Sequence, residues 1–504
     1  MRRGPCDRIF GVETEFGTLV AESAGTPERV VEMIKDHVFY EQRLGLIDLH
    51  SRDDVFEPAE SGGFLINGGR LYIDAVGSHL EYATAECRSL KDIVAQDRAG
   101  HRIVVRAIEE LGLTDEVDVY NNSVDHFGGH TFGCHENYLV KMTEDFFSIQ
   151  APQLYPFLVT RQIFAGVGRV GGHLLAGGGS PDYYDMVENP VDYIWVSHVY
   201  HVYEDDTVPF QLSQRADHII KTVASRVRFN RALINPKWEH FYAHEGMHRL
   251  HVLFGESNQN QYAYALKVGT TSLVLALIED GLIPPELRCA EPIIALREVS
   301  RDQSYKWPVT MLDGRKMGAI EVQRVYLGLA QRYFGSSPDV DWVLKEWESV
   351  LDGLEKDPLA MGDRIDWVAK KKIVEEYIRE VSTQDPPLPS AAKGPAVGGS
   401  SEEEAWHDDA LHSVDLEYHN IDPAKSLFGG YAETSGVRSI VEDADIVLAQ
   451  TDPPPDTRAK GRSELVRKII DRRGPRFYVF DWSGVAVDRH NYVEMPDPFE
   501  TYSR

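Results

Sequence analysis

The sequence predicts an α+β fold. Strand-like alternation of apolar and polar residues occurs at 8–17, 69–75, 130–141 and 249–256. Helical spacing of apolar residues occurs at 92–112, 261–280, 340–355 and 363–382. The two kinds of segment do not alternate regularly, which argues against a parallel βαβ arrangement.

The first strand segment runs Arg8-Ile9-Phe10-Gly11-Val12-Glu13-Thr14-Glu15-Phe16-Gly17. Successive side chains on a strand point to opposite faces. Phe10, Val12 and Phe16 therefore share a face suited to a core. Gly11, Glu13, Glu15 and Gly17 share the other. Two carboxylates flanked by glycines leave open space beside concentrated negative charge, which suits a hard cation such as magnesium. A plain solvated face of an antiparallel edge has the same pattern, and alternation alone leaves both readings open.

The second segment repeats the layout. Leu71 and Ile73 fall on the core face, and Arg70, Tyr72 and Asp74 on the open face. An arginine suits phosphate, and a carboxylate suits a metal or a proton. A cross-strand ion pair between Arg70 and a glutamate is the alternative. The third, Thr131–Leu139, places His135 and Asn137 together, either as a structural hydrogen-bonding pair or as a pair that orients substrate.

The helix at 261–280 is apolar almost all round and stops at Gly281, so it belongs in the core. The segments 340–355 and 363–382 read as amphipathic helices. Residues 171–190 are rich in glycine and predict a long surface loop. Residues 383–405 mix Pro, Gly, Ser and Glu, cannot bury a core and predict a flexible linker or loop. It divides a catalytic domain, 1–382, from a small C-terminal domain, 406–504.

Composition narrows the function. The 504 residues carry 52 basic and 80 acidic side chains, a net charge of −28. Such a surface repels phosphate backbones and anionic lipid, so neither nucleic acid nor membrane is expected as a partner. No apolar run is long enough to span a bilayer. The N-terminus does not read as a secretion signal, and four scattered cysteines form no disulfide framework, so a cytoplasmic setting is expected. His244-Glu245-Gly246-Met247-His248 fits the zinc-protease pattern, with His251 nearby. Gly246 weakens the helix that pattern needs, and Arg249–Phe254 reads as a strand, so a polar loop is the better reading.

Together these segments resemble the Pup ligase and Pup deamidase/depupylase family of glutamine-synthetase-like carboxylate–amine ligases. The matching stretches are Gly11–Gly17, Asn67–Asp74, Gly77–Cys87 and Gly133–Leu139. Gln211–Asp217, Arg249–Val252, Gly255–Asn258, Ile365–Val368, Pro453–Arg458 and Asp481-Trp482 continue the match in order. The resemblance implies a curved antiparallel sheet forming a cradle, backed by helices, with a small C-terminal domain closing over a nucleotide. It implies ATP and Mg2+ as cofactors. The partners it implies are a small Pup-like modifier, lysine-bearing protein substrates and a functional link to a bacterial proteasome. By position, Asp74 resembles the catalytic proton acceptor. Glu13, Tyr72 and Glu81 resemble the magnesium positions, and Arg70, Thr84 and Trp482 the ATP contacts. Strict alternation puts Thr84 and Glu81 on opposite faces, so both reach one site only with a bulge or a strand end there.

Two branches share this fold, and the ligase is the expected one. Glu13–Phe16, Gly77-Ser78-His79 ahead of Glu81, Cys134 before His135, Arg297–Ser300 and Ile365–Val368 resemble it. Phe210–Gln214 and Gly269–Leu277 lean toward the deamidase/depupylase, the alternative; 18–66 lacks that branch's charged loop. Minor alternatives are a non-catalytic binding protein and a small-molecule carboxylate–amine ligase. Ala75, the insertion at about 171–207 and the linker depart from the family pattern and bear on the modifier-binding surface.

Overall fold

The computed structural model describes residues 7–48, 61–74, 79–126, 130–176, 201–224, 231–237, 246–383, 405–406, 408–472, 478–488 and 490–503. A ten-stranded sheet organises it. Seven strands come first in sequence: β1 Phe10–Val20, β2 Gly45–Ile47, β3 Gly62–Leu65, β4 Arg70–Ile73, β5 Leu80–Ala83, β6 Val117–Tyr120 and β7 Cys134–Lys141. Lys221–Val223, Ala232–Lys237 and Met247–Val252 complete it on the β7 side.

The centre of the sheet runs Met247–Val252, β7, β1, β5, β4, β3, β2, all antiparallel, with β6 pairing to the far end of β1. One edge departs from the expected antiparallel pattern: Lys221–Val223 lies parallel to Ala232–Lys237.

Helices cover the core face. Leu90–Glu110 begins at Ser89, whose hydroxyl accepts from the Asp92 N–H at 3.0 Å. Its N-terminal half packs Ile93 and Val94 into a core with Phe10, Val12, Tyr138 and Leu250. Its C-terminal half packs Ile103, Val104 and Ala107 into a second core with Phe16, Phe64, Leu71 and Leu80. The helix Gln261–Glu279 is buried from Tyr262 to Ile278, as its uniform apolarity predicts. Pro338–Lys356 and Asp366–Thr383 form where helical spacing places them.

The second core reaches into the C-terminal segment. Val466 and Ile469 of the helix Ala459–Asp471, with Phe480 and Val485 of a three-stranded sheet, pack onto Phe64 and its neighbours.

Two expectations are corrected. Residues 171–190 are not simply loop, because His173–Ala176 is a strand paired antiparallel with His201–Glu204. Alternating backbone hydrogen bonds override the glycine-rich local composition there. The strand expected at 249–256 spans Met247–Val252 instead. His248 therefore lies on a strand and follows Gly246 at φ +79, so no helix presents it as a zinc ligand. His244, Glu245, Ala75–Ser78, 177–200 and 384–404 lie outside the described residues.

Candidate active site

The pairing of the central strands assembles one polar face. Side chains directly opposite each other across an antiparallel pair share a face. Glu13 stands opposite His135 on β7 and Ala83 on β5, and Ala83 stands opposite Arg70 on β4. In the next row Glu15 faces Glu81, which faces Tyr72. In the row on the other side Gly11 faces Asn137, which faces His251. Asp74 follows β4, and its amide donates to the His79 carbonyl at 2.9 Å.

Two ligand clusters result. Glu15, Asp74 and Glu81 present carboxylate oxygens within 4.8 Å of one another, and Glu13, His135 and His251 present ligand atoms equally close. Glu13 thus groups with two histidines rather than with Glu81. Tyr72 hydrogen-bonds Glu81, and the Arg70 guanidinium lies 4.3 Å above the Tyr72 ring. Asn137 accepts from Arg249 at 2.9 Å, and the same Arg249 nitrogen lies 3.4 Å from Glu13.

The electrostatics of the clusters differ. Burial opposes ionisation of Glu81, and the charges of Glu15, Asp74 and Glu13 add to the effect, so its pKa is raised well above the usual range. Burial also opposes ionisation of Glu15, but the hydrogen bond and charge of His79 outweigh it and hold the pKa at about 2. For Glu13, burial is overcome by His135, His251 and Arg249, and the pKa is lowered. Burial pushes His251 well below its usual value. At neutral pH it therefore offers a lone pair rather than a charge, and Arg249 is the permanent cation beside Glu13. Three hard carboxylates, one kept from ionising by burial and by the charges beside it, fit a divalent cation, which would offset that repulsion.

A cleft opens beside this face, lined by Gly11, Glu13, Thr84, Arg249, Arg458 and Trp482 among others. Thr84 follows the end of β5 at Ala83, and the register changes just beyond it. Regular pairing from Glu13↔Ala83 would put Glu86 opposite Phe10, but Cys87 stands there, so one extra residue bulges between Thr84 and Cys87. The Thr84 hydroxyl accepts from the Val12 amide at 3.1 Å. Trp482 sits in the turn between the strands Val479–Asp481 and Gly484–Ala486, edge-on to Phe64 at 5.1 Å. The C-terminal segment is held to the sheet by Glu86, which binds both Arg458 (2.8 Å) and Arg462. The fold therefore brings Glu13, Thr84 and Trp482 to one cleft and Tyr72, Asp74 and Glu81 to the row beside it. Arg70 does not line the cleft but stands opposite Ala83, which does.

Sequence reasoning placed Glu15 beside Glu13 on a cation-suited face and weighed His251 only with the zinc-protease pattern, and it did not bring His79, Arg249 or His251 to this site. Glu15 was legible on the open face, and alternation in Arg249–Val252 puts Arg249 and His251 on one face. His79 lies against Phe132, ring centroids 4.5 Å apart and planes tilted by 41°, and reaches Glu15 at 3.2 Å, which only the tertiary fold reveals.

Residues 8–486 match the family described as Pup-ligase protein. A Pup–protein ligase of Kineococcus radiotolerans is 33% identical over 507 residues, covering 98% of this chain and 96% of that relative. A Pup–protein ligase of Xylanimonas cellulosilytica is 33% identical over 512 residues, covering 98% and 97%. Among solved structures, the complex between the prokaryotic ubiquitin-like protein Pup and its ligase PafA superposes with a TM-score of 0.74 at 28% identity. It covers 99% of this chain and 89% of that one. PafA in complex with ADP superposes with a TM-score of 0.69 at 29% identity, covering 94% and 91%. With its fold and nearly its whole length in common with these proteins, the chain belongs to the Pup-ligase protein family.

Proposed function

We propose that this protein is an ATP-dependent ligase that joins the side-chain carboxylate of the C-terminal glutamate of a Pup-like modifier to lysine amines of target proteins. The observation that carries the reading is the single face on which Glu13, Glu15, Asp74 and Glu81 adjoin a cleft lined by Gly11, Thr84 and Trp482. Full-length similarity to Pup–protein ligases supports it, as do the solved PafA complexes with Pup and with ADP.

The reaction runs in two steps. A carboxylate oxygen of the modifier attacks the γ-phosphorus of ATP, ADP leaves, and a γ-glutamyl phosphate forms. A lysine amine then attacks the acyl carbon, phosphate leaves, and the isopeptide bond remains. An ammonium is not nucleophilic, so the amine must lose a proton, and Asp74 is the acceptor in this reading. Arg70 supplies fixed positive charge as the phosphoryl group moves. Thr84 and Trp482 hold the nucleotide, with the indole against the base, and the C-terminal domain, 406–504, completes the pocket of the catalytic domain, 1–382. Glu13, Tyr72 and Glu81, with Glu15 and His251 beside them, would hold Mg2+, which neutralises phosphate charge when bound. Tyr72 would serve as a neutral oxygen, since burial and the nearby carboxylates push its pKa well above the usual value.

Two segments resemble the hydrolytic branch, Phe210–Gln214 and Gly269–Leu277. Both are buried, the first starting in the two-residue strand Phe210–Gln211 paired with Arg169–Val170 and the second in the core helix. They carry packing in this fold, and full-length similarity to Pup–protein ligases favours the ligase. The protein acts in the cytoplasm in this reading, where Cys87, Cys134 and Cys289, all buried free thiols, stay reduced. The modification would mark targets for a bacterial proteasome. No helix among the described residues is long and apolar enough to cross a membrane.

Hydroxylamine trapping tests the first step. With ATP, Mg2+, modifier and no lysine acceptor, the acyl phosphate is captured as a hydroxamate on the C-terminal glutamate. Hydroxamate that forms without ATP from a glutamine-ending modifier, with release of ammonia, would instead place the protein with the deamidase/depupylase branch.

A further inference from the structure

One guanidinium ties together the three chain segments that carry the nucleotide candidates. Arg462, on the helix Ala459–Asp471, is fully buried. Its Nη1 donates to the Trp482 carbonyl at 2.9 Å and to Glu86 Oε1 at 3.1 Å. Its Nη2 donates to the Gly68 carbonyl at 2.9 Å and to the other Glu86 oxygen. Gly68 precedes Arg70 by two residues, and Glu86 follows Thr84 by two. The centre of the guanidinium also lies 4.9 Å from the Trp482 ring and 5.1 Å from the Phe64 ring.

Trp482 needs such a partner. It occupies a turn between two three-residue strands, and a turn of that kind does not fix the direction of its own indole. Phe64 meets the ring edge-on, with 80° between the planes. Arg462 holds the backbone of the same residue and lies near the ring, so carbonyl and indole are both referred to one rigid fork. Gly68 is drawn close from the opposite side: its φ is +83, and a Cβ there would come within 2.9 Å of Ala459.

We propose that Arg462 is a positioning residue for the nucleotide base, setting the Trp482 indole relative to Thr84 and Arg70. The proposal rests on the reading of Trp482 as the base contact. Arg458 shares Glu86 but sends its other bond to the Met495 carbonyl at 3.1 Å, so the two arginines are not equivalent. A lysine at 462 would keep charge opposite Glu86, yet its single nitrogen cannot reproduce a planar fork bonded to Trp482, Gly68 and Glu86 together.

The experiment compares two ligands on the full-length protein in the presence of magnesium: ATP, which has a base, and inorganic triphosphate, which has none. Arg462→Lys, Trp482→Ala and the double variant are measured by equilibrium binding. Base stacking contributes about 1–3 kcal/mol, so Arg462→Lys is expected to weaken ATP about tenfold and triphosphate less than about twofold. In the Trp482→Ala background the same substitution is expected to have almost no further effect on ATP. Equal weakening of both ligands, or an undiminished loss in the Trp482→Ala background, would show general loosening and overturn the proposal. If Trp482→Ala itself leaves the preference for ATP over triphosphate unchanged, the base-contact reading fails, and the proposal with it.

Discussion

Glu15 and Glu81 stand directly opposite each other across the β1–β5 pair, two carboxylates on one face with Asp74 beside them. Burial and, after it, the repulsion of like charges in that position raise the pKa of Glu81. Glu81→Gln should therefore stabilise the cation-free protein while abolishing its ligase activity. A gain of about 1 kcal/mol corresponds to a melting rise of roughly 2 °C in a chain of this size. Thermal melting in EDTA, with and without the substitution, checks the sign.

The same carboxylate predicts a pH effect. A folded pKa raised above the unfolded value gives stability that is present below the unfolded value and lost as pH rises through the folded one. Glu81 therefore destabilises the cation-free protein progressively as pH climbs from its ordinary value of 4.5. Magnesium binding should displace its proton. Calorimetric titrations in buffers of different ionisation enthalpy should give buffer-dependent heats in the wild type and not in Glu81→Gln.

Glu86 works with the opposite sign. Burial opposes its charge, but Arg462 and Arg458 outweigh burial and hold its pKa at about 2. Its contribution is present above the unfolded value near 4.5 and is lost as pH falls toward 2. Glu86→Gln leaves two buried guanidinium groups short of a counter-charge, at a cost of about 3–5 kcal/mol. Urea titration at neutral pH should show the loss, and the gap from wild type should narrow in acid.

Gly11 leaves the cleft open. A Cβ there would sit 3.3 Å from the Thr84 hydroxyl, and β1 permits a branched side chain by its extended backbone. Gly11→Val should weaken ATP binding at least about tenfold, a loss of roughly 1.4 kcal/mol, with the melting temperature held within a few degrees. Unchanged ATP affinity would move the nucleotide away from this cleft.

Much of this arrangement was legible in residues that obey simple periods. Phe10, Val12 and Phe16 alternate with Gly11, Glu13 and Glu15, and the structure buries the first set. The helix Gln261–Glu279 announced its burial by uniform apolarity. What stayed hidden depends on register and on distance along the chain. β2 and β3 have three and four residues, too few for alternation to show. A bulge or a strand end near Thr84 was expected, but only the structure shows β5 ending at Ala83 and a one-residue bulge before the Phe10↔Cys87 pairing. The grouping of Glu13 with His135 and His251 needed the β1–β7 and β7–Met247–Val252 registers, which local sequence does not encode. Trp482 reaches its cleft through contacts with Phe64 and Arg462, hundreds of residues apart from each other.

Asp74 carries the central claim, so Asp74→Asn is the variant to measure first. Purified protein is incubated with ATP, Mg2+, a glutamate-ending Pup-like protein and a lysine-bearing acceptor, and the isopeptide-linked peptide is quantified by mass spectrometry. The account predicts ATP-dependent conjugation by the wild type. In Asp74→Asn it predicts a fall of about 10²–10⁴-fold, the range for a general base, with ATP binding preserved. Conjugation at the wild-type rate in Asp74→Asn, or cleavage of a preformed conjugate with no ligation by the wild type, would contradict it.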